Sequence, residues 1–271
     1  MSTHIQISKI TTEQLRKMKQ AGEKISALTA YDHTMAHLLD ESMIDVILVG
    51  DSAGTVFAGN DTTLPVTMEE MLYHVRVVAK SVTRALVVAD MPFMSYQVSE
   101  EEAIRNAGRF MKESYAEAVK IEGGSEFLPT IKRLVEIGIP VMGHLGLTPQ
   151  SIHKFGTYRT RGTSKAEADK IIKDAKALEL AGIFALVLEK IPAELSKKIS
   201  KALSIPTIGI GAGPHCDGQI LVTHDMLGLY EKFHPRFVRR YAELAKEMRK
   251  AFEKYRKDVK GRTFPGEKES Y

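Results

Sequence analysis

The chain has 271 residues, of which 44% are hydrophobic and 27% charged, with a single cysteine and a net charge of +4. That balance supplies apolar mass for one sizeable core and excludes a disulfide scaffold, a low-complexity chain and a disordered polyelectrolyte. No run approaches the roughly 18 apolar residues of a membrane span, and MSTHIQISKITTEQLRKMK lacks the apolar centre of a signal peptide, so a cytoplasmic protein with no membrane partner is expected.

In chain order, the first expected element is an extra helix from Thr12 to about Gln20, placed to plug the N-terminal end of the sheet that follows. Short apolar runs suited to buried strands then occur at about 25–31, 44–50, 85–90, 117–121, 139–143, 183–188, 205–210 and 219–223. Helix starts lie between them. Thr67 with Glu70, Ser99 with Glu102 and Ser164 with Glu167 have capping-box spacing, and Pro192 opens a further helix. Met71, Leu72, Val75, Val78 and Ala79 recur at helical steps, as do Ala103, Ile104, Ala107 and Phe110, so each helix has one face to bury. Eight strands alternating with amphipathic helices predict an α/β fold, a (β/α)8 TIM barrel filling one domain over residues 1–271, with an open doubly wound sheet as the alternative.

Basic residues gather late in the chain, with twelve basic and four acidic side chains from Lys232 to Arg262. Phe237, Tyr241, Leu244, Met248, Phe252 and Tyr255 fall at steps of three or four there, which predicts one apolar stripe on a long helix with the charges on its solvated face. No nucleic-acid partner is expected from it. The final dozen residues, about 260–271, are polar and rich in turn formers, and read as a mobile tail.

Five of the strand runs end in polar groups: VILVGDS at Asp51 and Ser52, LVVADMPF at Asp90, AVKIEGG at Lys120 and Glu122, PVMGHLG at His144, and ALVLEK at Glu189. In such barrels the C-terminal strand ends converge on the active site. Asp51, Asp90 and Glu122 would then be hard oxygen ligands on neighbouring strands, a set suited to Mg2+ rather than zinc. Lys120, two residues before Glu122 and on the same side of the strand, can supply a cation for a substrate oxyanion. Glu189, roughly opposite, is placed as a general base whose partial burial would raise its pKa. His144 lies among Gly143, Gly146 and Thr148, the last able to cap a short helix, and is expected to orient the substrate or Glu189. The glycines of GIGAGPHCDGQ have the wrong spacing for a dinucleotide fingerprint and fit tight turns around the last two strands.

These residues sit in LVGDS, TLPVT, ADMPFMSY, VKIEGG, GHLGLTPQS, IGIGAG and DGQILV, and with this ordered set the chain resembles the ketopantoate hydroxymethyltransferase family from Thr29 to beyond Phe264. The resemblance implies a barrel of the phosphoenolpyruvate mutase/isocitrate lyase type, bound Mg2+ and assembly into homo-oligomers, commonly decamers. It implies that Asp51, Asp90 and Glu122 are the metal acids, that Asp51, Ser52, Asp90 and Lys120 contact the oxo acid, and that Glu189 is the proton acceptor. It further implies transfer of a hydroxymethyl group from 5,10-methylenetetrahydrofolate to 3-methyl-2-oxobutanoate through an enolate. Lys154, Arg159 and Arg161, after the fifth strand, are expected to attract the folate's acidic tail.

Overall fold

The computed structural model describes residues 8–271, which fall into two compact units, one reaching to Leu221 and one from Val222 to Tyr271. In the first, eight parallel strands close into a barrel: β1 (Ile25–Thr29), β2 (Val46–Val49), β3 (Leu86–Asp90), β4 (Ala118–Glu122), β5 (Val141–Gly146), β6 (Ala185–Glu189), β7 (Thr207–Ile210) and β8 (Gly218–Leu221). Each strand pairs with the next in sequence, and β8 pairs back onto β1 with Ile25 opposite Gly218. The closed barrel, not the open doubly wound sheet, is the fold.

Helices α1 (Thr12–Ala21), α2 (His33–Glu41), α3 (Met68–Ala79), α4 (Glu100–Glu113), α5 (Leu128–Glu136), α6 (Lys165–Leu180) and α7 (Ala193–Ala202) surround or precede the strands. Their starts follow the cap chemistry. Thr67 and Glu70 form the full reciprocal box, whereas Ser99 and Ser164 accept from the backbone N–H of Glu102 and Glu167. The Glu167 side chain instead accepts from the Gly162 N–H at 2.7 Å, so that box is half made. Thr148 stands at the start of a short turn, Pro149–Ser151, but its side chain makes no cap bond, contrary to expectation.

The barrel interior shows why so few residues determine the site. Ala27, Val46, Leu48, Leu86, Val88, Ala118, Met142, Ala185, Val187, Ile208 and Ile220 form one buried cluster. With a side-chain period of two, the next inward positions along β3, β4, β5 and β6 are Asp90, Lys120 with Glu122, His144 and Glu189. At the other end Leu15 and Met18 of α1 join the same cluster, so the N-terminal helix seals the bottom of the barrel as expected.

The second unit contains a helical turn at Thr223–Met226 and helix α8 (Leu244–Lys260). Tyr241 donates its backbone N–H to the Met226 carbonyl at 2.8 Å and Leu244 to that of Leu227 at 2.9 Å, which ties the helix start to the turn. The helix is shorter than the stripe suggested, since Phe237 and Tyr241 precede it. Nor is the stripe covered: no residue of α8 is buried, and Met248, Phe252, Tyr255 and Val259 are 45%, 62%, 60% and 43% exposed.

Candidate active site

At the C-terminal ends of β2 to β6 the inward residues form one connected network. The Lys120 ammonium lies 2.6 Å from Asp90 Oδ1 and 3.4 Å from Glu122 Oε1. Asp51 is not on the inward line of β2; it lies just after the strand, in a turn, and its backbone N–H donates to Asp90 Oδ2 at 3.2 Å. Gly50 keeps that turn close to β3, because a Cβ there would meet the Ser52 hydroxyl at 2.8 Å and Asp90 Oδ2 at 3.8 Å. The Ser52 hydroxyl shares a 2.8 Å hydrogen bond with the Tyr31 hydroxyl rather than capping the short helix that follows.

Gln150 links residues that lie far apart in sequence. Its side-chain N–H groups donate to Asp51 Oδ2 at 3.0 Å and to the Met91 carbonyl at 2.9 Å, while its backbone N–H donates to Glu122 Oε2 at 3.0 Å. Its carbonyl oxygen accepts from the Tyr96 hydroxyl at 2.7 Å. Neither Gln150 nor Tyr96 was singled out from the sequence. Tyr96 stands in a loop and Gln150 in the short turn Pro149–Ser151, both within recognisable motifs, but such segments have no periodicity that states where their side chains point.

His144 joins the acid group to the opposite side. Nδ1 is 3.1 Å from Glu122 Oε1, and Nε2 is 3.3 Å from Glu189 Oε2, an ion-pair distance without the alignment of a hydrogen bond. Burial and the Lys120 charge work to deprotonate the ring, but Glu122 and Glu189 outweigh them and hold its pKa up at about 9. The imidazole is therefore a cation between two carboxylates at neutral pH. Gly146, with φ +101°, lets β6 approach this point, since any side chain there would collide with the Glu189 carbonyl.

The acids are not equivalent. Burial, together with repulsion from Asp90 and Glu122, pushes the Asp51 carboxyl well above its ordinary range. Burial also raises Asp90, although Lys120 opposes it. Glu122 is held low despite burial, because Lys120 and His144 flank it. Lys120 is raised in turn: burial opposes its charge, but Asp90, Glu122 and Asp51 prevail. Among the described residues no three such ligands surround one point closely enough to hold a metal ion; the ammonium lies between Asp90 and Glu122, and Gln150 lies between Asp51, which accepts from its side-chain amide, and Glu122, which accepts from its backbone N–H. As a donor set, three buried carboxylates, two of them raised by burial and by repulsion from their neighbours, suit a hard divalent cation.

An open cavity of about 670 Å³ adjoins the network. Lys154 and Arg161 line it, whereas Arg159, expected with them, is exposed and is not among its lining residues.

Residues 9–267 match the family model described as ketopantoate hydroxymethyltransferase. A 3-methyl-2-oxobutanoate hydroxymethyltransferase of Prosthecochloris aestuarii is 60% identical over 266 residues, covering 97% of this chain and 96% of the relative. One of the same name from Christiangramia forsetii is 59% identical over 263 residues, covering 97% of each. Among solved structures, a phosphonopyruvate hydrolase in complex with oxalate and Mg2+ superposes with a TM-score of 0.64 at 14% identity, covering 95% of this chain and 92% of that one. A 2,3-dimethylmalate lyase, a member of the PEP mutase/isocitrate lyase superfamily, superposes with a TM-score of 0.62 at 17% identity, covering 92% and 88%. The barrel fold is shared with these structures.

Proposed function

The chain belongs to the ketopantoate hydroxymethyltransferase family, an enzyme family, and from that premise we propose that it transfers a hydroxymethyl group from 5,10-methylenetetrahydrofolate to 3-methyl-2-oxobutanoate, forming 2-dehydropantoate. The observation that carries the reading is the placement of Glu189 across the barrel end from Asp90, Lys120 and Glu122, with His144 between. A proton acceptor thus faces a group able to hold an oxo acid.

Asp51, Asp90 and Glu122 would hold Mg2+. When bound, that ion supplies Lewis acidity at the substrate's ketone oxygen, which is worth several kcal/mol when C3 loses its proton. The chain's own residues do the rest. The Lys120 ammonium and the Ser52 hydroxyl, the latter steadied by Tyr31, bind the substrate carboxylate. Glu189 accepts the C3 proton at a carboxylate oxygen, and the His144 ring, 3.3 Å from Oε2, aims that carboxylate. The C3 carbanion, delocalised as an enolate, then bonds to the one-carbon unit as one of its two carbon–nitrogen bonds to the folate opens and that nitrogen takes up the proton held by Glu189; water displaces the second nitrogen, leaving its hydroxyl on the carbon and its proton on that nitrogen. One water is consumed and tetrahydrofolate leaves.

The proposal extends to a cytoplasmic homo-oligomer, a decamer by the family resemblance. The uncovered aromatic stripe of α8 supports association of copies. Among the described residues no helix is long and apolar enough to cross a membrane.

The chemistry is tested by proton exchange at C3 of 3-methyl-2-oxobutanoate in deuterium oxide with Mg2+, followed by NMR. Wild type is expected to exchange without folate, and Glu189→Gln to lose 10²- to 10⁴-fold in exchange rate, the usual worth of a positioned base. Wild type that exchanges nothing would sink the assignment.

A further inference from the structure

We propose that Lys190 is a positioning residue for the base: its side chain clasps the segment from Gly156 to Gly162 onto the end of β6, and that segment shields Glu189 from water while the C3 proton is taken. This rests on Glu189 being the proton acceptor, as read above.

Strand β6 ends on Glu189, whose carboxylate lies 3.3 Å from His144 Nε2, and the chain turns at the next residue. Lys190 has φ +47°, a left-handed conformation that a residue with a side chain adopts only at a cost. Glycine would make the same turn more easily, so the lysine is there for its side chain. All three polar groups of Lys190 are engaged. Its backbone N–H donates to the Ile210 carbonyl of β7 at 2.8 Å, its carbonyl accepts from the Arg161 N–H at 2.9 Å, and its ammonium donates to the Tyr158 carbonyl. That ammonium forms no ion pair among the described residues.

The clasped segment has few other anchors. It is entered and left through left-handed glycines, Gly156 at φ +64° and Gly162 at φ +72°. Its far end is fixed to α6, because Arg161 pairs with Glu167 and lies 4.1 Å from the centroid of the Phe155 ring, and the Gly162 N–H donates to Glu167 at 2.7 Å. Among the described residues, 157–160 make no backbone-to-backbone hydrogen bond, so the Lys190 ammonium is what ties this stretch down. The tied segment reaches the base. Burial and then the Glu189 charge push the Tyr158 phenol up, and the Glu189 side chain is 16% exposed. Water admitted there would compete for the carboxylate oxygens and loosen their aim at C3, with no change in how the oxo acid is held.

Lys190→Met keeps the side-chain length and removes the donor, Lys190→Gly also relieves the backbone, and Lys190→Arg restores a donor. C3 exchange of 3-methyl-2-oxobutanoate in deuterium oxide with Mg2+ is measured on the full-length proteins against oxo-acid concentration. Beside it, trypsin cleavage of the native proteins after the exposed Arg159 is followed by mass spectrometry. Lys190→Met and Lys190→Gly are both expected to exchange roughly tenfold more slowly at saturating oxo acid, with KM within about twofold of wild type, and to be cut after Arg159 several times faster. Lys190→Arg is expected to stay close to wild type in both measurements. A Lys190→Gly protein that exchanges as fast as wild type would show that the turn alone matters at this position, and would overturn the proposal. Wild-type exchange in a Lys190→Met protein would overturn it equally, whatever the cleavage rate. If wild type itself exchanges nothing, the assignment of the base fails, and the role of Lys190 fails with it.

Discussion

At the scale of single residues, the site is organised less by its acids than by what holds them apart. Gln150 is the clearest case. One amide and one backbone N–H connect Asp51, Glu122, Met91 and Tyr96, so the positions of two acids on different loops and strands depend on a single side chain and its peptide. Gln150→Leu keeps the volume and removes the side-chain hydrogen bonds. It is expected to weaken Mg2+ affinity 10- to 100-fold by calorimetry, the usual effect of removing a residue that orients ligands, while the variant still folds. Equal Mg2+ affinity in both proteins would show that Asp51 needs no such support. His144 illustrates the same point from the other direction. Its strand-end position was legible in the sequence, but its partners were not, because they come from β4 and β6 and meet only in the closed ring.

Among the elements, α2 is fastened to the barrel by a carboxylate rather than by apolar contact alone. Asp40, near its C-terminal end, accepts hydrogen bonds from the backbone N–H groups of Thr83, Arg84 and Ala85 and from the Thr83 hydroxyl, at 2.7 to 3.1 Å. Burial works to raise its pKa, but these donors, Ala85 foremost, hold it below the ordinary carboxylate value. The sign follows from linkage. A group whose folded pKa is depressed contributes stability that is complete above its unfolded pKa near 3.9 and is lost as the pH falls through the lower folded value. Asp40→Ala leaves three backbone donors without their partner and is expected to cost roughly 2–4 kcal/mol by denaturant unfolding at pH 7. The gap between variant and wild type should shrink below about pH 4, where wild type also loses the interaction. A gap independent of pH would mean that packing, not the carboxylate, fastens the helix. The strands were readable because burial on both faces demands continuous apolar runs. The long terminal helix was overextended because Phe237 and Tyr241 keep helical spacing in a segment whose backbone turns instead, as the Tyr241 to Met226 bond shows.

For the whole molecule, the expected assembly follows from what α8 leaves uncovered. A stripe of Met248, Phe252, Tyr255 and Val259 flanked by basic residues is costly to expose to water and inexpensive to bury against a second copy. Sedimentation velocity is expected to show a species of about 300 kDa if ten copies associate, and Phe252→Glu with Tyr255→Glu to shift it toward smaller species. A wild-type monomer at micromolar concentration would refute the oligomer. By itself the sequence determined the number and order of strands, the helix starts at Thr67, Ser99 and Ser164, the plug formed by α1, and which strand ends carry chemistry. Each of those is local: a period of two, a cap three residues from its partner, or a polar residue ending an apolar run. Only the tertiary structure decided that Asp51 reaches the site from a turn, that Gln150 bridges the acids and that His144 stands between Glu122 and Glu189. It also decided that the cavity beside them is lined by residues from Phe93 to Asp174. Barrel closure creates these contacts by bringing together strand ends and loops tens of residues apart, and no local pattern in the chain encodes a distance across the ring.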